Sequence, residues 1–495
     1  MQRSRILRWL HSWVLSLFFL LFTLPVSSIE LSPLSDKPYI GDWPLLKEKG
    51  VIRVVVSADL GFYYVEAGRP KGIGAELLYH FENSLKKQAP YVHIQIIPVL
   101  RDDLIASVET GFADLAIANL TITPTRLQQI DFSDPLTKEI QELIVTNKNY
   151  PELTTLTQLE GKDIWVRASS SYLESLGKVN KSLKSQNLKP VKIHYVEEAL
   201  QDYELLELVN SGHITATVLD SHKAEMWLHV MEDIKAHTQL PLRTNGQIAW
   251  AMRKNSPALK KIVNDFLRTA KSGTLLGNVI FSKYIDDTRW LNKALNPASL
   301  KRLEELAKIF TKYSQKYEFE YLMMAAQGFQ ESGFDQRKVS HKGAIGIMQV
   351  LPSTARDRNV NITHIDRVDN NIHAGVKYMR FIKNRYFSEP EISEDDQVYF
   401  ALAAYNAGPA NISRMRRLAK KHGFNPNIWF KNVEVITRRN IGAEPVNYVA
   451  NISRYFVVYK QLEQLKQAKE ESLAATLNEI EGIDSGTKRV ETRAE

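Results

Sequence analysis

Along the first half of the chain, short apolar runs rich in valine and isoleucine alternate with stretches whose apolar residues fall three or four apart. On this pattern Val51–Val56, Val92–Ile97, Leu115–Asn119, Glu142–Thr146, Asp163–Val166, Val191–Val196, Thr215–Leu219 and Ile248–Met252 are strands. Helical patterns lie between them near 74–87, 103–110 and 198–209. This alternation predicts an α/β region with mostly parallel sheets, and its extent, 45–285, favours two lobes over one. From 299 onward the period is helical: Leu300, Leu303, Leu306, Ala307 and Phe310 form one stripe behind Ser299, a candidate N-cap. Further helices are expected over 320–331, 369–386 and 395–407, with Asp369 and Ser393 as candidate caps and Gly408-Pro409 as a stop and restart. A long helix opens at Pro445 and buries Val449, Ile452, Phe456 and Tyr459. No strand pattern competes, so 299–460 reads as mainly α. The stretch 286–298 is a linker without an assigned element, and 461–495 is a charged tail, helical at its start and disordered at its end.

Composition adds an environment to this plan. The 495 residues, 44% hydrophobic and 24% charged, hold two or three domains, because one core does not grow to that size. A net charge of +8 suits an anionic partner such as cell wall or a membrane surface; the basic residues are scattered, which argues against nucleic acid. Arg3, Arg5 and Arg8 precede an apolar run from Trp13 to Leu24 and the small residues Ser27 and Ser28, the pattern of a secretory signal peptide over 1–28. About a dozen apolar residues are too few to span a bilayer core of roughly 30 Å as a helix. With no cysteine, the chain has no disulfide, no thiol chemistry and no site for a cysteine-linked lipid, so any membrane association is peripheral.

The chemistry concentrates at the end of one helix. Leu322, Ala325, Ala326 and Phe329 recur at helical spacing and deliver Glu331 just before Ser332-Gly333. A carboxyl at the end of an apolar helix is partly stripped of water, its pKa rises, and it can hold a proton for a leaving group. On position alone, a solvated helix-end glutamate is the ordinary alternative.

Glu331 has company: Gly346-Ile347-Met348-Gln349, Asn371-Ile372 with Ala374-Gly375 and Tyr378, Ala403-Ala404-Tyr405-Asn406-Ala407-Gly408, and Glu444-Pro445 with Asn447-Tyr448-Val449. This ordered set resembles the catalytic domain of the soluble-lytic-transglycosylase type, lysozyme-like enzymes that cleave peptidoglycan. The resemblance implies that Glu331 acts first as acid and then as base on the bond between N-acetylmuramic acid and N-acetylglucosamine, closing a 1,6-anhydro ring without water. It further implies that Tyr405 and Asn406 face Glu331, with the Tyr405 phenol orienting the carboxylate. Gln349 would bond an acetamido group, Met348 would pack a ring face beyond a tight Gly346 turn, and Ser332 would hold the acetamido or the C6 hydroxyl. Glu444 and Tyr448 match family positions on the substrate side. No cofactor is implied, and His341 has no metal-ligand spacing around it.

In the first half, Asn119-Leu120-Thr121-Ile122-Thr123-Pro124-Thr125-Arg126, Ile130-Asp131-Phe132-Ser133-Asp134-Pro135 and Val218-Leu219-Asp220 resemble the periplasmic solute-binding proteins for amino acids. The resemblance implies that Arg126 grips a ligand carboxylate and Asp220 its ammonium, with Asn119, Thr121 and a second-lobe hydroxyl at Ser170 completing the clamp. Tyr63 and Tyr64 are candidates for an aromatic wall. The chain departs from that family at Ala168-Ser169-Ser170-Ser171 and at Leu60-Gly61-Phe62; an amino acid and a peptide released from cell wall both fit the clamp. The domain order resembles the membrane-bound lytic murein transglycosylase F family. It implies a periplasmic enzyme peripherally attached at the inner face of the outer membrane. Separately, an intact Arg126 and Asp220 on the same chain as Glu331 lead to the expectation that ligand closure of the clamshell gates the active site. A lysozyme-like hydrolase, a non-catalytic wall-binding or ligand-sensing protein and a transport-associated binding protein are the alternatives.

Overall fold

The computed structural model describes residues 37–464 apart from 67, 295 and 296. The expected signal peptide and the tail from 465 onward lie outside the described residues, as do the side chains of Leu300 and Leu303. The strands are β1 (Val51–Ser57), β2 (Tyr64–Glu66), β3 (Arg69–Lys71), β4 (His93–Val99), β5 (Leu115–Thr121), β6 (Asp131–Phe132), β7 (Thr137–Asn147), β8 (Asp163–Arg167), β9 (Lys192–Val196), β10 (Ala216–Asp220), β11 (Ile234–Ala236) and β12 (Arg243–Met252). β2 and β3 form a separate hairpin; the other ten make one sheet whose main path is β4-β1-β5-β12-β7-β10-β8-β9.

Within each lobe the expected parallel pairing is found: β1 lies parallel to β4 and β5, and β8 parallel to β9 and β10. At the centre it is replaced. β12 runs antiparallel to both β5 and β7, and β7 antiparallel to β10. The chain has to pass from one lobe to the other and back, and the two long strands β7 and β12 make both crossings while hydrogen-bonded to each other. The result is a two-lobed α/β clamshell with a paired-strand hinge.

The second domain is mainly α: helices Pro297–Tyr317, Tyr321–Ser332, Val368–Tyr386, Glu394–Ala407, Pro409–Lys421 and Glu434–Asn440, and a terminal helix over 443–464. They enclose a core in which Met324, Ala326, Met348, Ile372, Phe400 and Trp429 are fully buried. Ser393 caps its helix by accepting from the Asp396 amide. Asp369 is not a cap; it sits one residue inside a helix whose N-cap is Arg367, and it accepts from the Tyr313 hydroxyl at 2.5 Å. The stretch left without an element contains the helix Arg289–Ala294, and the next helix starts at Pro297 rather than behind Ser299, since proline's fixed φ suits a first helical turn.

The terminal helix ties the domains together. Arg454 pairs with Glu82 at 3.2 Å, the Tyr459 hydroxyl donates to the Gly68 carbonyl at 2.8 Å, and Val457 is buried in a cluster with Val55, Ile97 and Leu104 of the clamshell.

Candidate active site

The helix Tyr321–Ser332 is buried at every position from Leu322 to Phe329 and ends at Gly333, whose φ of 66° makes the left-handed cap. Gln327 is the polar residue inside that buried run. One turn later the helix presents Glu331, half-buried. Burial pushes the Glu331 carboxyl up to about 7, against a hydrogen bond from Tyr448 and the charge of Lys338, both of which pull it down. The Tyr448 hydroxyl donates to Glu331 Oε1 at 2.5 Å and accepts from Gln327 Nε2 at 3.2 Å. Lys338 Nζ donates to the Glu331 backbone carbonyl at 2.6 Å. A buried amide, a phenol and a carboxyl thus form one chain ending at a poised acid.

Several expected roles are reassigned by this geometry. The phenol that orients Glu331 is Tyr448, from the terminal helix, and not Tyr405, whose hydroxyl donates to the Met348 carbonyl at 2.7 Å. Tyr405 still lies near the acid: burial and then the Glu331 charge hold its phenol protonated well above the ordinary range. Met348 cannot pack a sugar ring, because it is fully buried against Gly375, where an added Cβ would come within 2.5 Å of it. Gln349, in the left-handed region at φ 46°, turns its amide onto the carbonyls of Gly346 and Lys338 at 2.9 and 3.1 Å and so closes its own turn. Ser332 Oγ donates to the Ile347 carbonyl at 3.0 Å. The tight Gly346 turn, φ 78°, makes room for the Asn371 and Gln336 amides, each 2.5 Å from where a Cβ would stand, and not for a sugar. Asn371 then fixes the loop, accepting from the Met348 amide at 2.8 Å and donating to the carbonyls of Ile345 and Ile365. Ser332, Met348, Gln349 and Tyr405 are therefore the wall behind the acid. A sequence motif marks which residues belong together but not which way each side chain turns.

In front of the wall is a cleft of about 520 Å³ lined by Gln330, Glu331, Asn406, Glu444, Asn447, Tyr448 and Asn451. Asn406 Nδ2 approaches Glu444 Oε1 at 3.4 Å. Sequence reasoning passed over Gln327, Lys338 and Asn451; Gln327 carried a signal, a lone polar residue in an apolar run one turn before Glu331. Among the described residues no group of three or more His, Cys, Asp or Glu side chains is placed to hold a metal ion.

Of the five residues expected in the clamshell cleft, Asn119 and Asp220 meet across the lobes. Asn119 Nδ2 donates to Asp220 Oδ2 across the lobes at 2.7 Å, and Asp220 Oδ1 is buried without a hydrogen-bond partner. Burial raises the Asp220 carboxyl to about 7 despite Lys223 nearby. Arg126 does not reach outward: its terminal nitrogens donate to the carbonyls of Thr121 at 2.8 Å and Ser169 at 2.9 Å, since a buried guanidinium has to be satisfied. Ser170 turns away, donating to the Arg167 carbonyl at 2.8 Å. Tyr63 is buried in the wall of the cleft, whereas Tyr64 stacks on Trp290 at 5.1 Å. Between the lobes, Lys223 bridges Asp59 of the first and Asp202 of the second.

The Transglycosylase SLT domain family matches residues 308–428, and the bacterial extracellular solute-binding proteins, family 3, match 52–287. The chain thus joins a region similar to the family 3 solute-binding proteins to one similar to the transglycosylase domain. Its relatives over most of its length are proteins named membrane-bound lytic murein transglycosylase F: one from Pseudomonas fluorescens strain Pf-5 is 29% identical over 83% of this chain and 85% of its own, and one from Desulfosudis oleivorans is 28% identical over 84% and 91%. Among solved structures, the substrate-binding protein of an amino acid ABC transporter is 21% identical, covers 48% of this chain and all of its own, and has a TM-score of 0.41.

Proposed function

We propose that the protein is a peptidoglycan lytic transglycosylase with Glu331 as its single acid and base. The observation that carries this reading is the half-buried Glu331 carboxyl, raised to about 7 and held by Tyr448 at the floor of an open cleft. Glu331 gives its proton to the glycosidic oxygen, the bond from that oxygen to muramic acid C1 breaks, and N-acetylglucosamine leaves with a free 4-hydroxyl. The Glu331 carboxylate then takes the proton of the muramic acid C6 hydroxyl as that oxygen closes on C1. The 1,6-anhydro sugar forms, no water is consumed and the acid is regenerated. The attacking hydroxyl is tethered to the reacting ring, an arrangement whose effective concentration reaches about 10⁵ M or more in well-oriented models.

Asn406, Glu444 and Tyr448 serve the glycan side of this cleft. In the clamshell, the unpartnered Asp220 Oδ1 supports an amino acid or muropeptide ligand that brings an ammonium, its carboxylate taken by Arg126 once the Ser169 carbonyl is released. The terminal helix supports gating, since it carries both Tyr448 and the Arg454 and Tyr459 contacts to the clamshell. The relatives are named membrane-bound, and among the described residues no helix is long and apolar enough to cross a membrane. Peripheral attachment in the periplasm, at the inner face of the outer membrane, satisfies both. The test is mass spectrometry of muropeptides released from purified peptidoglycan by the native chain and by Glu331→Gln. Anhydro products from the native chain alone are expected; products heavier by one water would make it a hydrolase, and none from either would leave a binding protein.

A further inference from the structure

A second, larger cavity of about 860 Å³ lies between the two domains. Gln330 and Asn451 line both this groove and the catalytic cleft, so the two spaces meet beside Glu331. The groove's charge is one-sided: Arg69, Lys71, Lys86, Lys283, Lys338 and Arg454 line it against two carboxylates. Both carboxylates are already held, Glu76 by Lys283 and the Tyr284 hydroxyl, and Glu82 by Arg454 and the Ile94 amide. The positive charge on the clamshell rim and at Lys338 therefore faces the space. The floor is apolar and aromatic, built from Ile94, Ile96, Phe329, Tyr455 and Val458.

We infer that this groove is the subsite for the stem peptide carried by the muramic acid being cleaved, its free carboxylates taken by the basic rim and its aliphatic side chains by the floor. The inference rests on the transglycosylase reading above and deepens it. A glycan strand bound across Glu331 has to direct the lactyl-linked peptide of the reacting muramic acid away from the cleft, and the groove opens from the cleft wall at that point. A short peptide with several carboxylates and small aliphatic groups matches both surfaces, whereas a stripped strand offers the rim only the single lactyl carboxylate of each muramic acid and offers the floor nothing. The clamshell then contributes part of the substrate site through Arg69, Lys71 and Lys86, independently of any ligand in its own cleft.

The test compares kcat and KM on two substrates, peptide-bearing glycan strands and the same strands stripped of peptide by an amidase. The proteins are the full chain, Arg69→Glu/Lys86→Glu and the milder Arg69→Gln/Lys86→Gln; both side chains are exposed, so folding is not at stake. The native protein is expected to favour peptide-bearing strands through KM, and the advantage to shrink as salt rises, because such exposed charges are screened over roughly 8 Å at physiological ionic strength. Charge reversal should raise KM for peptide-bearing strands by roughly five- to tenfold and the neutral variant by roughly half as much, with kcat unchanged and a much smaller rise on stripped strands, which keep one lactyl carboxylate per muramic acid. Equal KM for both substrates in the native protein, or equal losses on both in the variants, would overturn the subsite and leave the transglycosylase standing. Products from neither substrate would overturn both.

Discussion

Replacing Tyr448 by phenylalanine isolates the group that sets the acid. Its hydroxyl is 2.5 Å from Glu331 Oε1 and stabilises the carboxylate form, so it holds the pKa below where burial alone would put it. A hydrogen bond to a charged group contributes about 1.5–3 kcal/mol, and one pKa unit corresponds to about 1.4 kcal/mol, so its loss moves Glu331 upward by about one to two units. The first step needs the protonated acid, so kcat/KM for anhydro-muropeptide release falls as pH rises through the Glu331 pKa, near 7 in the native chain. In Tyr448→Phe this descending limb should lie about one to two pH units higher, while the maximal rate drops because the carboxyl has lost its orienting contact. The assay is chromatographic quantitation of anhydro-muropeptides from about pH 5 to about pH 10.5, which brackets a limb moved to about 8–9. A limb that stays in place, or moves to lower pH, would refute this account of what tunes the acid.

Glu331→Gln, besides abolishing product, should change stability in a pH-dependent way. The folded carboxyl stands near 7 against an ordinary 4.5, so its contribution to stability is fully present below about 4.5 and is lost as pH rises through 7. At pH 8, about one unit above that value, the variant should be more stable by roughly 1–3 kcal/mol, partial exposure being allowed for; thermal melts should converge at acid pH. Lys223→Met removes the cation bridging Asp59 and Asp202; Arg167 still holds Asp202, and Asp59 is left buried and unpaired. A loss of about 3–5 kcal/mol in urea unfolding is expected, largely recovered in Asp59→Asn/Lys223→Met, and no loss would show the bridge to be dispensable.

Sequence determined a great deal about this protein. Alternating apolar runs specified the clamshell strands, because a buried parallel strand is apolar on both faces, and the helical stripes specified the second domain. Glu331 was legible for the same reason: one carboxyl at the end of an apolar run has its electrostatic setting written into its neighbours. What only the tertiary structure decided was direction and partner. Tyr405 is a half-buried phenol and Tyr448 a buried one, both near the acid, and which one reaches Glu331 follows from where the terminal helix crosses the helix Tyr321–Ser332, more than a hundred residues away in sequence. Met348 and Gln349 lie side by side in one motif, yet one is core and the other closes a turn, because side-chain direction depends on the loop that Asn371 anchors. The antiparallel hinge of β7 and β12 and the basic groove beside Glu331 likewise exist only once distant segments meet. Local pattern reports burial and spacing, whereas hydrogen-bond partners and shared cavities are set by long-range packing.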